Sequence, residues 1–139
     1  MPELARIGVA IPADLLASFD QQIERRGYQN RSEAFRDLIR DSLIRESVSA
    51  PNAPAVGTLT LIYDHHVRQL SDKLTEFQHD HHHQIVSTIH VHLDHHSCLE
   101  VLLLKGKAKD LQAMADKIIS MHGIQHGRLM LTVAGKPIA

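Results

Sequence analysis

A single cysteine, no tryptophan and only 4% aromatic residues set the first limits on this 139-residue chain. One cysteine cannot close an intrachain disulfide, and a lone thiol persists as a metal ligand only where the surroundings are reducing, which predicts a cytoplasmic protein. With so few aromatics, the core has to be built from Leu, Ile, Val and Ala. No apolar run approaches the length needed to span a bilayer, so no membrane role is expected. The first residues, Met1 to Arg6, are too polar to read as a signal peptide. Charge of one sign is also missing: 15 Lys and Arg stand against 16 Asp and Glu, for a net charge of −1 and a pI of about 6.9. Residues 1–45 repeat the balance, with seven arginines and seven acids. This argues against strong non-specific attraction to nucleic acid, but it leaves room for a specific binder whose contacts are few or need a trigger. Neither a glycine-rich phosphate loop nor a Ser/His/Asp arrangement is present, so an enzyme is not expected.

Histidine is abundant instead. The chain has twelve, and ten of them fall between His65 and Cys98. Neutral imidazole and thiolate are the side chains that hold late first-row transition metals. His90, Val91 and His92 lie in a strand-like alternation, which turns both imidazoles to one side, and Cys98 follows closely. His90, His92 and Cys98 therefore form the strongest candidate metal site. Glu100 is placed to orient an imidazole N–H, although a solvated carboxylate explains it equally well. His79, His81, His82 and His83 occur together, and one of them could complete a four-ligand set. The remaining members of that run read as weak exposed sites, His65, His66, His95 and His96 as solvated surface residues, and His122 and His126 as structural. Three imidazoles and a thiolate suit Zn, Ni(II) or Cu(II). Geometry separates these metals, and spacing does not give it.

The pattern along the chain divides it. Ile7, Val9 and Ile11 alternate with Arg6, Gly8 and Ala10 in a short strand ended by Pro12. A helix follows with Leu15, Leu16, Phe19 and Ile23 at helical spacing, closed by Gly27 in the left-handed conformation. A second helix starts at Asn30, whose spacing to Glu33 is that of a capping box, and Ala34, Phe35, Leu38, Ile39 and Leu43 form its stripe. One strand and two helices cannot bury their own apolar faces, which predicts an intertwined dimer. Residues 1–46 are thus one domain, 47–56, with two prolines and no period, a linker, and 57–139 a second domain. There the expected elements are a strand over 57–63, a helix over about 65–78, strands over about 84–93 and 98–105, a helix over 108–121 and a strand over 124–133. The order βαββαβ is the ferredoxin-like plan, so the fold class is α+β. A hairpin centred near His95 sets His92 opposite Cys98 and His90 opposite Glu100. The apolar set Ile85, Ile89, Val91 and Leu93 is expected to face the helices. His90, His92, Cys98, Glu100, Leu102 and Leu104 would then lie on the uncovered face and meet another subunit. A paired N-terminal ribbon fits the DNA major groove, where Arg6 could reach a guanine edge and Ala10 a thymine methyl, and the helix start at Asn30, Arg31 and Ser32 could hold a phosphate. A dimerisation strand without a ligand is the equal alternative.

Together these residues resemble one family. Arg6-Ile7-Gly8-Val9, Leu15-Leu16 and Arg26 to Ala34 look like the ribbon-helix-helix DNA-binding domain. Tyr63-Asp64-His65, His79, His90-Val91-His92, Cys98-Leu99-Glu100 and Leu104-Lys105-Gly106 look like the metal-binding ACT domain of nickel-responsive regulators. The resemblance implies a homotetramer, a dimer of dimers, with one square-planar Ni(II) per chain. Its ligands would be His90, His92 and Cys98 of one subunit and His79 of a neighbour. It implies nickel-dependent binding to a palindromic double-stranded operator and repression of nickel-uptake genes. Glu33 and Asp37 match acids that hold a second cation between the domains; as plain residues they are a solvated helix face. Gly8 and Ala10 depart from the hydroxyl residues common in the family at those positions, which shifts the burden of operator choice to Arg6 and DNA shape. Two other functions fit the residues alone: a metal-storage or metallochaperone protein, which the surplus histidines would suit, and a zinc-responsive repressor of the same architecture.

Overall fold

The computed structural model describes residues 3–133. It divides into two compact units, one ending at Asp41 and one beginning at Ser42. The division falls inside a helix, because α2 does not stop where the sequence pattern ends.

In the first unit α1 spans Ala13–Arg25, and α2 starts at Arg31 and runs to Ser49. Gly27, at φ 83°, ends α1. The Tyr28 N–H donates to the Ile23 carbonyl and the Gly27 N–H to that of Glu24, both at 3.0 Å, which is the paired closure of a left-handed C-terminal cap. The Asn30 side chain accepts from the Glu33 N–H at 2.9 Å, so it caps α2 as its spacing predicts. Replacing Asn30 with Ala is expected to cost about 1 kcal/mol of stability; a urea unfolding midpoint that does not move would show that the cap contributes nothing. Phe19 and Phe35 stack with ring centroids 5.2 Å apart. Ile23 and Ala34 are the buried apolar residues of this unit among those described, while Ile7, Val9, Leu15, Leu38 and Ile39 are exposed. The strand expected at 5–11 forms no ladder here. A lone strand has no partner for its N–H and C=O groups, and within one chain nothing supplies one.

The expected linker shrinks to residues 50–53, between α2 and β1 (Pro54–Asp64). Val48, on the last turn of α2, packs against the core of the second unit, which explains why the helix continues. Then come α3 (Leu70–Asp80), β2 (Ile85–His92), β3 (Ser97–Lys107), α4 (Ala108–Ile119) and β4 (Ile124–Val133). The last six residues of the expected second domain, 134–139, lie outside the described residues. The strands form one antiparallel sheet in the order β2-β3-β1-β4, the ferredoxin-like arrangement. Its core joins Leu59, Leu61 and Tyr63 of β1 and Cys98, Leu102 and Leu104 of β3 to Leu70 and Leu74 of α3 and Leu111, Met114, Ala115 and Ile118 of α4.

Two expectations are corrected. Helix α3 starts five residues later than its apolar spacing suggests. The Asp64 carboxylate accepts the His66 N–H at 2.8 Å and the Asp64 carbonyl accepts the Val67 N–H at 3.1 Å. This side-chain turn competes with helix and holds residues 65–69 outside it. The second correction concerns the sheet faces. His92 does pair with Cys98 and His90 with Glu100. However, Cys98, Glu100, Leu102 and Leu104 lie on the helix-covered face, where all four are buried. The open face carries Ile89, Val91, Leu93, Leu103 and Met130 instead, all exposed. Both alternating sets of β3 are apolar, so the alternation of β2 alone could not decide which one the helices cover. The two histidines stay accessible because β2 is the edge strand and is almost wholly exposed.

Candidate functional site

The end of the β2–β3 hairpin meets the turn after β1. Pairing of Tyr63 with Cys98 across β1 and β3 brings the following residue but one, His65, over the thiol. The Cys98 Sγ lies 3.2 Å from His65 Nδ1 and 3.5 Å from His92 Nδ1. The three ligand atoms of His65, His92 and Cys98 fall within 4.8 Å of one another. The rings of His65 and His92 meet edge-on at 5.1 Å, and His90 lies beside His92 at the same centroid distance. Two imidazoles and a thiol converging this closely are a donor set that fits Zn(II), Ni(II) or Cu(II).

Electrostatics keep the thiol neutral. Burial pushes the Cys98 thiol above its ordinary value, and the carboxylates of Glu100, Asp64 and Asp94 add to this, while the contact with His65 opposes it. Desolvation, with His66 and His92 as neighbours, lowers the pKa of His65, which favours neutral imidazole with a lone pair to offer. Glu100 is 5% exposed and stands between this group and the helix layer. It accepts the Tyr63 hydroxyl at 2.8 Å and the side-chain amide of Gln78, and its Oε1 lies 3.8 Å from His90 Nδ1. Tyr63 is held protonated by its own burial and then by that bond.

Of the four ligands read from the sequence, His92 and Cys98 converge, and His90 is adjacent with its Nδ1 toward Glu100. His79 is on the last turn of α3, where its ring faces His82 at a centroid distance of 6.4 Å, and it does not join the group within one chain. His65, taken from the sequence as a solvated residue, is the one that does join. Its signal was the Asp64 turn: once residues 65–69 leave the helix, His65 has to sit beside the strand end that carries Cys98. His81 stacks on Phe77 at 4.0 Å, and His82 and His83 lie exposed beside each other.

In the first unit Arg6, Gly8 and Ala10 are exposed. Arg31 makes a two-pronged contact with Asp20, at 2.9 and 2.7 Å, which lowers the Asp20 pKa and raises that of Arg31. The Glu33 N–H is taken by Asn30, while Ser32 is exposed. Asp37 accepts from Tyr28 at 2.6 Å and Arg40 at 3.3 Å, and neither Glu33 nor Asp37 belongs to a converging ligand group among the described residues.

Comparison with known proteins adds the family. Residues 56–132 match the family described as the NikR C terminal nickel binding domain, and residues 5–46 match the ribbon-helix-helix protein, copG family. The chain belongs to the nickel-responsive regulator family. Among its relatives are proteins provisionally named nickel-responsive regulators. That of Solibacter usitatus is 58% identical, with 97% of each chain covered. Those of Trichlorobacter lovleyi and Geotalea uraniireducens are 54% and 53% identical, covering 96% and 99% of each chain.

Glu100 offers a direct check on how the site is supported. Glu100→Gln keeps the side-chain shape and an acceptor for Tyr63 but removes the charge near His90. Loss of such an orienting group typically weakens metal affinity by about 10–100-fold. A competition titration with Ni(II) that finds the variant within about twofold of the parent would exclude this supporting role.

Proposed function

We propose that this nickel-responsive, DNA-binding regulator is a repressor that grips a palindromic operator when Ni(II) is bound and thereby limits nickel uptake. It is a regulator and not an enzyme. The observation that carries the reading is the convergence of His92 and Cys98 with a neighbouring His90 in a domain of the nickel-binding family, joined in one chain to a ribbon-helix-helix domain. In this reading His90, His92 and Cys98 hold one Ni(II) per chain, and the neighbouring subunit supplies its own copy of His79 as the fourth ligand. Nickel would provide a four-coordinate hub tying two subunits together. The exposed apolar face of Ile89, Val91, Leu93, Leu103 and Met130 supports assembly of a tetramer, since an apolar surface of that extent favours a protein partner. The exposed stripe of Leu38, Ile39 and Leu43 on α2, with Ile7 and Val9, supports pairing of two N-terminal units into a ribbon. Repression then follows from linkage: metal binds better to the DNA-competent arrangement and raises its population. Glu33 and Asp37, one helical turn apart on α2, would hold a second cation. The setting for this work is the cytoplasm. Among the described residues, no helix is long and apolar enough to cross a membrane. A storage protein is disfavoured because it would have no use for a DNA-binding domain.

The test is a titration of the full chain with Ni(II), read by thiolate charge-transfer absorption and by binding to a labelled operator. One tight, diamagnetic equivalent per chain that switches on DNA binding is expected. Several weak equivalents without a charge-transfer band, and DNA binding indifferent to nickel, would overturn the reading in favour of storage.

Operator choice has its own prediction. Arg6→Ala should lose about 1–3 kcal/mol of discrimination between the operator and a base-substituted site, with nickel affinity unchanged. Equal discrimination by variant and parent would remove Arg6 from the groove.

A further inference from the structure

The cation at the start of α2 already has a partner. Arg31 opens that helix, and its Nε and Nη2 donate to the two oxygens of Asp20 on α1 at 2.9 and 2.7 Å. We propose that Asp20 is a brake on DNA binding: its carboxylate competes with DNA phosphate for Arg31, keeps affinity for non-operator DNA low and leaves tight binding to depend on the operator and on nickel. The proposal rests on the first unit being the DNA-binding part of the chain.

The geometry sets up the competition. The pair is fork to fork, the same two-pronged arrangement that an arginine makes with a phosphate, so the carboxylate holds donors that a phosphate would use. The side chains are 53% exposed for Arg31 and 40% for Asp20, so a duplex can reach both. The dipole at the start of α2 favours an anion there. Yet the pair as a whole is neutral. A guanidinium that faces a carboxylate neutralises no phosphate and releases no counterion, and counterion release supplies most of non-specific affinity. Asp20 stays ionised because the bond from Arg31 lowers its pKa, and no other charged group contributes to the shift of either partner. Each charge therefore answers to the other alone.

The charge balance of the unit gives the brake its weight. Residues 1–45 carry seven arginines and seven acids, so one carboxylate decides whether any positive surplus exists. An exposed ion pair is weak and exchanges readily. Operator contacts that hold the unit against the duplex keep phosphates beside Arg31 long enough to draw it from Asp20. A random duplex lacks those contacts and meets the neutral pair. The brake thus penalises non-specific encounters more than the operator complex, which makes Asp20 a specificity-determining residue.

The experiment measures binding of the full chain to a random-sequence duplex without nickel, over a series of salt concentrations, for the parent, Asp20→Asn, Arg31→Gln and the double variant. Asp20→Asn keeps the side-chain shape and removes the charge. It should raise affinity on the order of tenfold at about 0.1 M salt, and steepen the fall of log affinity with log salt by about 0.9 for each Arg31 released. In the Arg31→Gln background the same change should leave affinity close to that of Arg31→Gln alone, because the cation it frees is gone. Circular dichroism should match across the set, since an exposed pair adds little to stability. Unchanged affinity in Asp20→Asn overturns the proposal. Lower affinity also overturns it, and would make Asp20 a support for Arg31. An equal rise in the Arg31→Gln background overturns it in favour of long-range charge. The regulator reading fails separately: the nickel response of the parent on a labelled operator decides that reading, while the random-duplex comparison involves no metal.

Discussion

Cys98→Ala should lose nickel affinity by more than about 100-fold, the upper end of what removing a mere orienting partner costs, and should lose nickel-dependent DNA binding with it. The argument starts from softness. The ligands proposed beside it are imidazoles, and only the thiolate gives the strong sulfur bond that favours Ni(II) over the harder cations of the cell. The fold should survive, because the change removes one sulfur atom from a core of leucines and leaves the β3 ladder intact, at a cost of about 1 kcal/mol. Circular dichroism and thermal unfolding would separate loss of the ligand from loss of the domain. A folded variant that keeps the parent's affinity within about threefold would sink the ligand assignment, since no supporting role gives so small an effect.

The same residue sets a pH dependence. Burial and the nearby carboxylates of Glu100, Asp64 and Asp94 hold the thiol above its ordinary value, so it is protonated at neutral pH. A cation bound by the thiolate must displace that proton. Affinity therefore rises with pH by about tenfold per unit below the thiol's pKa. Calorimetry of Ni(II) binding in buffers of different ionisation enthalpy would count the released proton, and Cys98→Ala should release one fewer.

How much of this was legible in the sequence follows from where each constraint resides. The hairpin was readable because Asp94 to Ser97 is a turn flanked by alternating strands, and its centre fixes which residues of β2 and β3 face each other. The side of the sheet was not readable. Leu99, Val101 and Leu103 are as apolar as Leu102 and Leu104, and the choice between them is made by α3 and α4, which are distant in sequence. His65 was missed for a local reason: the apolar spacing of Val67, Leu70 and Leu74 suits a helix from residue 65, but Asp64 folds back onto the His66 N–H and delays it. The N-terminal alternation was read as a strand, and one chain alone forms no ladder there, because a lone strand has nothing within one chain to pair with.

Gly57→Val should destabilise the second unit by about 3 kcal/mol or more, beyond ordinary overpacking. Gly57 lies in β1 between Leu104 of β3 and Leu131 of β4. A Cβ at this position would overlap the Met130 carbonyl oxygen and come within 2.8 Å of Leu131 Cδ2 and 3.2 Å of its Cα. Leu131 Cδ2 can swing away by a rotamer change, but the oxygen and the Cα are backbone and move only if β4 moves. That would strain the pairing of β4 with β1 along its length, because both strands are held in one antiparallel ladder. The consequence reaches the metal site through β1 itself: Tyr63 and Asp64 end the same strand, and their place opposite Cys98 and Ser97 depends on its register. Thermal unfolding should therefore fall by roughly 10–20 °C, and Gly57→Ala, which brings the same Cβ without the branches, should show a smaller fall in the same direction. A Tm within about 2 °C of the parent for Gly57→Val would mean that β4 yields freely and that the sheet does not clamp the strand bearing the site.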